Sequence, residues 1–90
     1  MAAQTALPPL VIYNTTNVVM EISVEINPDR YLLKPGEEMM IEADPEGVPF
    51  TIQPFDGGLQ IYPGNTAGAA VMIDGKLVQP DWDTPRVISN

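Results

Sequence analysis

The sequence predicts an all-β fold, a small antiparallel β-sandwich of seven or eight short strands. Three observations carry that prediction. Residues 18–26 alternate at period two, with Val18, Met20, Ile22, Val24 and Ile26 on one side and Val19, Glu21, Ser23 and Glu25 on the other. Such alternation puts one apolar and one polar face on a pleated strand, whereas a helix needs apolar residues at spacings of three and four. Turn-forming residues recur about every ten positions, the rhythm of a sandwich or small barrel. No stretch of the chain has helical periodicity.

In order, residues 1–9 read as a flexible N-terminal tail closed by Pro8-Pro9, and 10–88 as one domain. Leu10, Val11, Ile12 and Tyr13 form a short apolar strand. Asn14-Thr15-Thr16-Asn17 reads as a polar turn, because Asn and Thr side chains bond their own backbone. It leads either into a hairpin or into a second sheet. The strand at 18–26, about 30 Å long at ~3.4 Å per residue, is read as the central one. Asn27-Pro28-Asp29-Arg30 is expected to stop it, before a strand at 31–33. Pro35-Gly36 matches a type II turn. Residues 38–43 alternate again, with Met39, Ile41 and Ala43 opposite Met40 and Glu42. Asp44-Pro45-Glu46-Gly47 is a turn. Residues 49–54 form a strand that Pro49 and Pro54 place at a sheet edge. Asp56-Gly57-Gly58 breaks it, and 59–62 follows. Residues 70–73 and 76–78 flank Asp74-Gly75, the type I′ hairpin signal. Residues 79–90 read as an irregular tail with at most one last strand.

Composition excludes more chemistry than it suggests. Ninety residues suit one domain. A chain this size buries roughly 60–65% of its unfolded surface, so stability is modest unless copies associate. There is no cysteine and no histidine. Disulfides, thiol nucleophiles, thiolate metal sites, the commonest general base and the commonest zinc or copper ligand are therefore missing. Twelve acids face four bases, a net charge of −8. Phosphate recognition needs clustered Lys and Arg, so nucleic acid and anionic membranes are not expected partners. The first residues lack a basic and apolar signal sequence, and no apolar run approaches the ~18 residues of a membrane span. The expected location is the cytoplasm.

Several groups still have chemistry to weigh. Asp81 and Asp83 flank Trp82, a pattern for a carboxylate-pair hydrolase or, with Tyr62 or Tyr31, for stacking on a sugar or small molecule. A solvated acidic loop, with Trp82 closing one end of the fold, explains the same residues with less. Asp56-Gly57-Gly58 and Asp81-Trp82-Asp83 offer hard oxygen ligands, but the alternating acidic calcium loop is absent. No metal or cofactor is expected. The acids Glu37, Glu38, Glu42, Asp44 and Glu46 would face a basic partner or merely keep a hairpin soluble. Asn14-Thr15-Thr16 is a formal glycosylation sequon and is read as a turn.

The short strands and the turn Leu33-Lys34-Pro35-Gly36-Glu37 resemble many immunoglobulin-like and cupredoxin-like sandwiches, where a Pro-Gly turn introduces a strand. The resemblance implies fold alone, since the copper-binding His and Cys of cupredoxins do not exist here. The outward side of 18–26 is only thinly polar, and Met40 faces outward. The expected function is therefore a non-enzymatic structural or protein-interaction module that binds itself or another protein, as a homo-oligomer joined by a sheet face or edge. The alternatives are a small-molecule or carbohydrate-binding domain using Trp82, Asp81, Asp83 and Tyr62, and a carboxylate hydrolase.

Overall fold

The computed structural model describes residues 8–25, 29–64 and 69–81. These residues form eight strands and no helix: β1 Leu10–Tyr13, β2 Met20–Val24, β3 Asp29–Leu33, β4 Glu38–Ile41, β5 Thr51–Phe55, β6 Gly58–Tyr62, β7 Val71–Ile73 and β8 Lys76–Leu77. They make two sheets of four, which we call A (order β1-β4-β7-β8) and B (order β3-β2-β6-β5). The chain changes sheet four times: after β1, β3, β4 and β6. The turn at Asn14 is therefore a crossing between sheets and not a hairpin.

The expected wholly antiparallel pairing is corrected at one place. β2 and β6 run parallel, with Glu21 opposite Gly58 and Val24 opposite Ile61. A tight turn forces antiparallel neighbours, but β6 reaches β2 only after the chain has passed through sheet A. Nothing local then sets its direction. β2 is central, flanked by β3 and β6, but it spans five residues where alternation suggested nine. Asp29 and Arg30, expected to lie in a turn, begin β3.

Alternation places the core. The inward residues Ile22, Val24, Tyr31, Leu33 and Ile61 of sheet B and Met39, Ile41 and Val71 of sheet A form one buried cluster. The full burial of a Leu or Ile contributes roughly 1.5–3 kcal/mol, so this cluster is the main source of stability. Tyr31 is also the one tyrosine in it. Burial, and then the nearby Asp29 carboxylate, raise its phenol above the usual range. A raised folded-state pKa means this contribution is intact below the unfolded value of ~10 and is lost as pH rises through the folded one. An absorbance titration should show one late phenolate step coinciding with alkaline unfolding, and Tyr31→Phe should remove it. A late step that survives Tyr31→Phe would contradict the assignment.

Asn14 lies at the crossing and is fully buried. Its side-chain amide donates to the Val18 carbonyl at 2.8 Å and the Leu33 carbonyl at 2.9 Å. Its Oδ1 accepts from the Thr16 amide at 2.9 Å and the Thr16 hydroxyl at 2.6 Å. Its backbone amide donates to Glu37 and its carbonyl accepts from Gly36. The first crossing is thus tied to the Pro35-Gly36 turn of the second. That turn has the expected form, with the Glu37 amide donating to the Lys34 carbonyl at 3.0 Å and Gly36 at φ 82.

The β7–β8 hairpin also has the expected turn. Ile73 pairs with Lys76, and Asp74 and Gly75 have φ 51 and 81, the two positive values of type I′. No atom lies within 4 Å of a Cβ built on Gly75. Gly75→Ala should therefore cost only its conformational penalty, on the order of 1 kcal/mol. Asp74→Asn should be neutral or slightly stabilising, since its Oδ1 still accepts from the Glu38 amide. A urea midpoint that rises on Gly75→Ala would contradict this turn.

Candidate interaction surface

The residues singled out in the sequence do not converge on one site among the described residues. The Arg30 carbonyl accepts from the Asp81 amide at 2.7 Å, so the end of the described chain runs beside β3. Tyr62 ends β6, and β2 lies between β6 and β3. Trp82 and Asp83 lie outside the described residues. Tyr31 is a core residue and is not available to stack on a ligand, which corrects its place in the small-molecule reading.

The acidic run is mostly occupied with its own backbone. A Glu37 carboxylate oxygen accepts from the Lys34 amide at 2.7 Å, Asp44 from Val48 at 2.9 Å and Glu42 from Ala70 at 3.4 Å. Outside the run, Asp74 accepts from Glu38 in the same way. Carboxylates that accept backbone N–H groups fasten turns. Among the described residues, no group of three or more His, Cys, Asp or Glu is placed to hold a metal ion. The sequon is closed in the folded chain, because both hydrogens of the Asn14 amide are committed to carbonyls. No helix among the described residues is long and apolar enough to cross a membrane.

The two outer faces differ sharply. On sheet B the outward residues of β2 are Glu21 and Ser23, followed by Glu25. Glu25 accepts from the Ser23 hydroxyl at 3.0 Å and the Gln60 amide at 3.1 Å. Glu21 pairs with buried Arg30 at 3.4 Å. The thinly polar face expected along β2 thus carries two polar groupings, Ser23–Glu25–Gln60 and Glu21–Arg30.

Sheet A carries the apolar face. Val11 pairs with Met40, Met40 with Met72, and Met72 with Leu77. Directly opposed residues of antiparallel strands share a face. An unbroken apolar row therefore crosses all four strands on the outside of sheet A. Its ends are open to solvent, with Val11 48% and Leu77 67% exposed. Tyr13, also exposed, stands beside it opposite Glu38. Single exposed apolar residues are ordinary on a protein surface; a contiguous patch is the informative feature. The two central methionines are flexible and polarisable, a side chain suited to adaptable contacts.

Only Met40 of this row was legible from alternation. The signal for Val11 and Met72 lies in the strands Leu10–Tyr13 and Val71–Ile73, which carry no charged residue, and Leu77 follows from the register of the Asp74-Gly75 hairpin. A strand with no charged residue has no charged face, so whichever side is buried, the other lacks charge too.

No family model, curated protein or solved structure matches the chain.

Proposed function

We propose that this chain is a non-enzymatic structural or interaction module that self-associates through sheet A. The single observation behind this reading is the apolar row Val11–Met40–Met72–Leu77, which crosses every strand of sheet A without a polar residue, whereas the outer face of sheet B mixes Glu21, Arg30, Ser23 and Gln60 with Leu32, Tyr62 and Phe55. Burying such a row removes apolar surface from water, the main favourable term in most associations. The lack of His and Cys, and carboxylates committed to turns, favour binding over catalysis. The excess of acids argues against nucleic acid and anionic lipid as partners. As an architecture we propose a small β-sandwich of the broad immunoglobulin-like or cupredoxin-like kind, because inward residues of both sheets share one core. The cytoplasm stays the proposed location.

The test is the mass of the full chain by small-angle scattering over a concentration series. We expect a mass rising toward a dimer and not falling with added salt, since salt screens the repulsion between two acidic chains and leaves the apolar contact in place. A monomer mass at every concentration would overturn self-association.

A further inference from the structure

Resting on the self-association reading, we propose that two copies join edge to edge through β1, antiparallel about a twofold axis at Ile12. The two A sheets then become one sheet of eight strands. The backbone of β1 points alternately toward β4 and toward the free edge. The Asn14 amide donates to Glu37 of the β4 side. Antiparallel pairs alternate between exchanging hydrogen bonds and not, and β1 pairs with β4 in register. Ile12 and Leu10 therefore point their amides and carbonyls at β4. Val11 and Tyr13 point theirs away from it, to the outer edge.

Among the described residues, the other edges are less suited to strand addition. β3 is bordered by Asp81. β8 is two residues long. In β5 the pair Phe55–Gly58 closes a two-residue hairpin. Such a pair exchanges hydrogen bonds, which turns Pro54 toward the free side, where it offers no N–H. Among the described residues, β1 offers two outward N–H and two outward C=O groups, at Val11 and Tyr13, with both side chains exposed, whereas the outward side of β5 offers one N–H, that of Ile52.

Charge permits a second copy as the occupant: β1 carries no Asp, Glu, Lys or Arg, and the acid paired with it, Glu38, stands on the neighbouring strand opposite Tyr13. The open edge is also self-complementary, because the groups it offers at Val11 and Tyr13 can be met by the same groups of a second β1. The register follows as well. With the axis at Ile12, Val11 of one copy exchanges both bonds with Tyr13 of the other, and the reverse. All four open groups of each edge are then satisfied. A register centred on Val11 would place Tyr13 opposite Pro9, which has no N–H to give. One centred on Tyr13 would need Thr15, which has left the strand. Val11 beside the other copy's Tyr13 is a favourable aromatic and β-branched pair.

The test uses the full chain and three kinds of variant. Val11→Pro removes an outward N–H and leaves the β4 ladder intact, so dimerisation should weaken at least about tenfold. Should Val11→Pro fail to fold by circular dichroism, Val11→Glu, which puts a charge on the neutral edge, decides. Leu77→Lys, three strands from the edge, should leave the edge contact itself intact, so that Ile12→Cys still cross-links in its presence. Ile12→Cys should form a covalent dimer with oxidised glutathione, because its Cα would lie ~4.5 Å from its copy, within disulfide range. Leu77→Cys should not. A wild-type dimer that survives the folded Val11 variants, dissociates with Leu77→Lys and fails to cross-link at Cys-substituted Ile12 would overturn the edge contact. The outer-face reading would then stand alone. A monomeric wild type would overturn both.

Discussion

Gly58→Ala is expected to lower stability by at least roughly 3 kcal/mol, above the usual cost of an oversized core residue. A Cβ at this position would overlap the carbonyl oxygen of Glu21 and crowd its carbonyl carbon. Both are backbone atoms of the central strand and cannot swing aside as a side chain would. Gly58 is the residue opposite Glu21 in the parallel β2–β6 pair, and the neighbouring Glu21 amide donates to the Gly57 carbonyl at 2.9 Å. Relief of the overlap would require β6 to move off β2 and open sheet B beside the core residue Ile61. Urea unfolding measures the loss. A Gly58→Ala variant as stable as the wild type would mean that β2 and β6 are not paired in this register.

The second large effect is at Asn14. Asn14→Ala should cost on the order of 3 kcal/mol, because it leaves a cavity and strips partners from the buried Leu33 carbonyl and the Thr16 amide. Asn14→Asp keeps the shape and should be at least as harmful at neutral pH. A carboxylate cannot donate to the Val18 and Leu33 carbonyls and would be buried facing them. Burial raises the folded-state pKa of such an acid. The penalty is therefore smallest below the unfolded value of ~3.9 and grows as pH rises through the folded one. Urea midpoints of Asn14→Asp relative to wild type should fall from acid to neutral pH. A constant difference would mean that position 14 is not buried as described.

These two residues also show where the sequence was legible. Strand positions and turns are local matters: alternation at 20–24, Pro35-Gly36, Asp44-Pro45-Glu46-Gly47 and Asp74-Gly75 each depend on neighbours within a few residues. Asn14 was readable as a turn residue. Its tie to Leu33, nineteen residues away, was not. The parallel pairing of β2 with β6 is likewise tertiary, and Gly58 looked like a strand breaker when it is the strand's closest approach. In the site, the outward side of β2 seemed thin because Ser23 is small. Its hydrogen bonds with Glu25, and those of Glu25 with Gln60, make it polar. The apolar row was hidden for the opposite reason. Strands without a charged residue carry no parity, so their outer side cannot be told from their inner one until the register is known.

The most direct measurement of the central claim is backbone amide exchange of the wild-type chain, residue by residue, at low and at high concentration. Self-association through the β1 edge predicts that Val11 and Tyr13 exchange fast when dilute and become protected as concentration rises, while Leu10 and Ile12, bonded to β4, are protected throughout. Fast exchange at Val11 and Tyr13 at every concentration would contradict it.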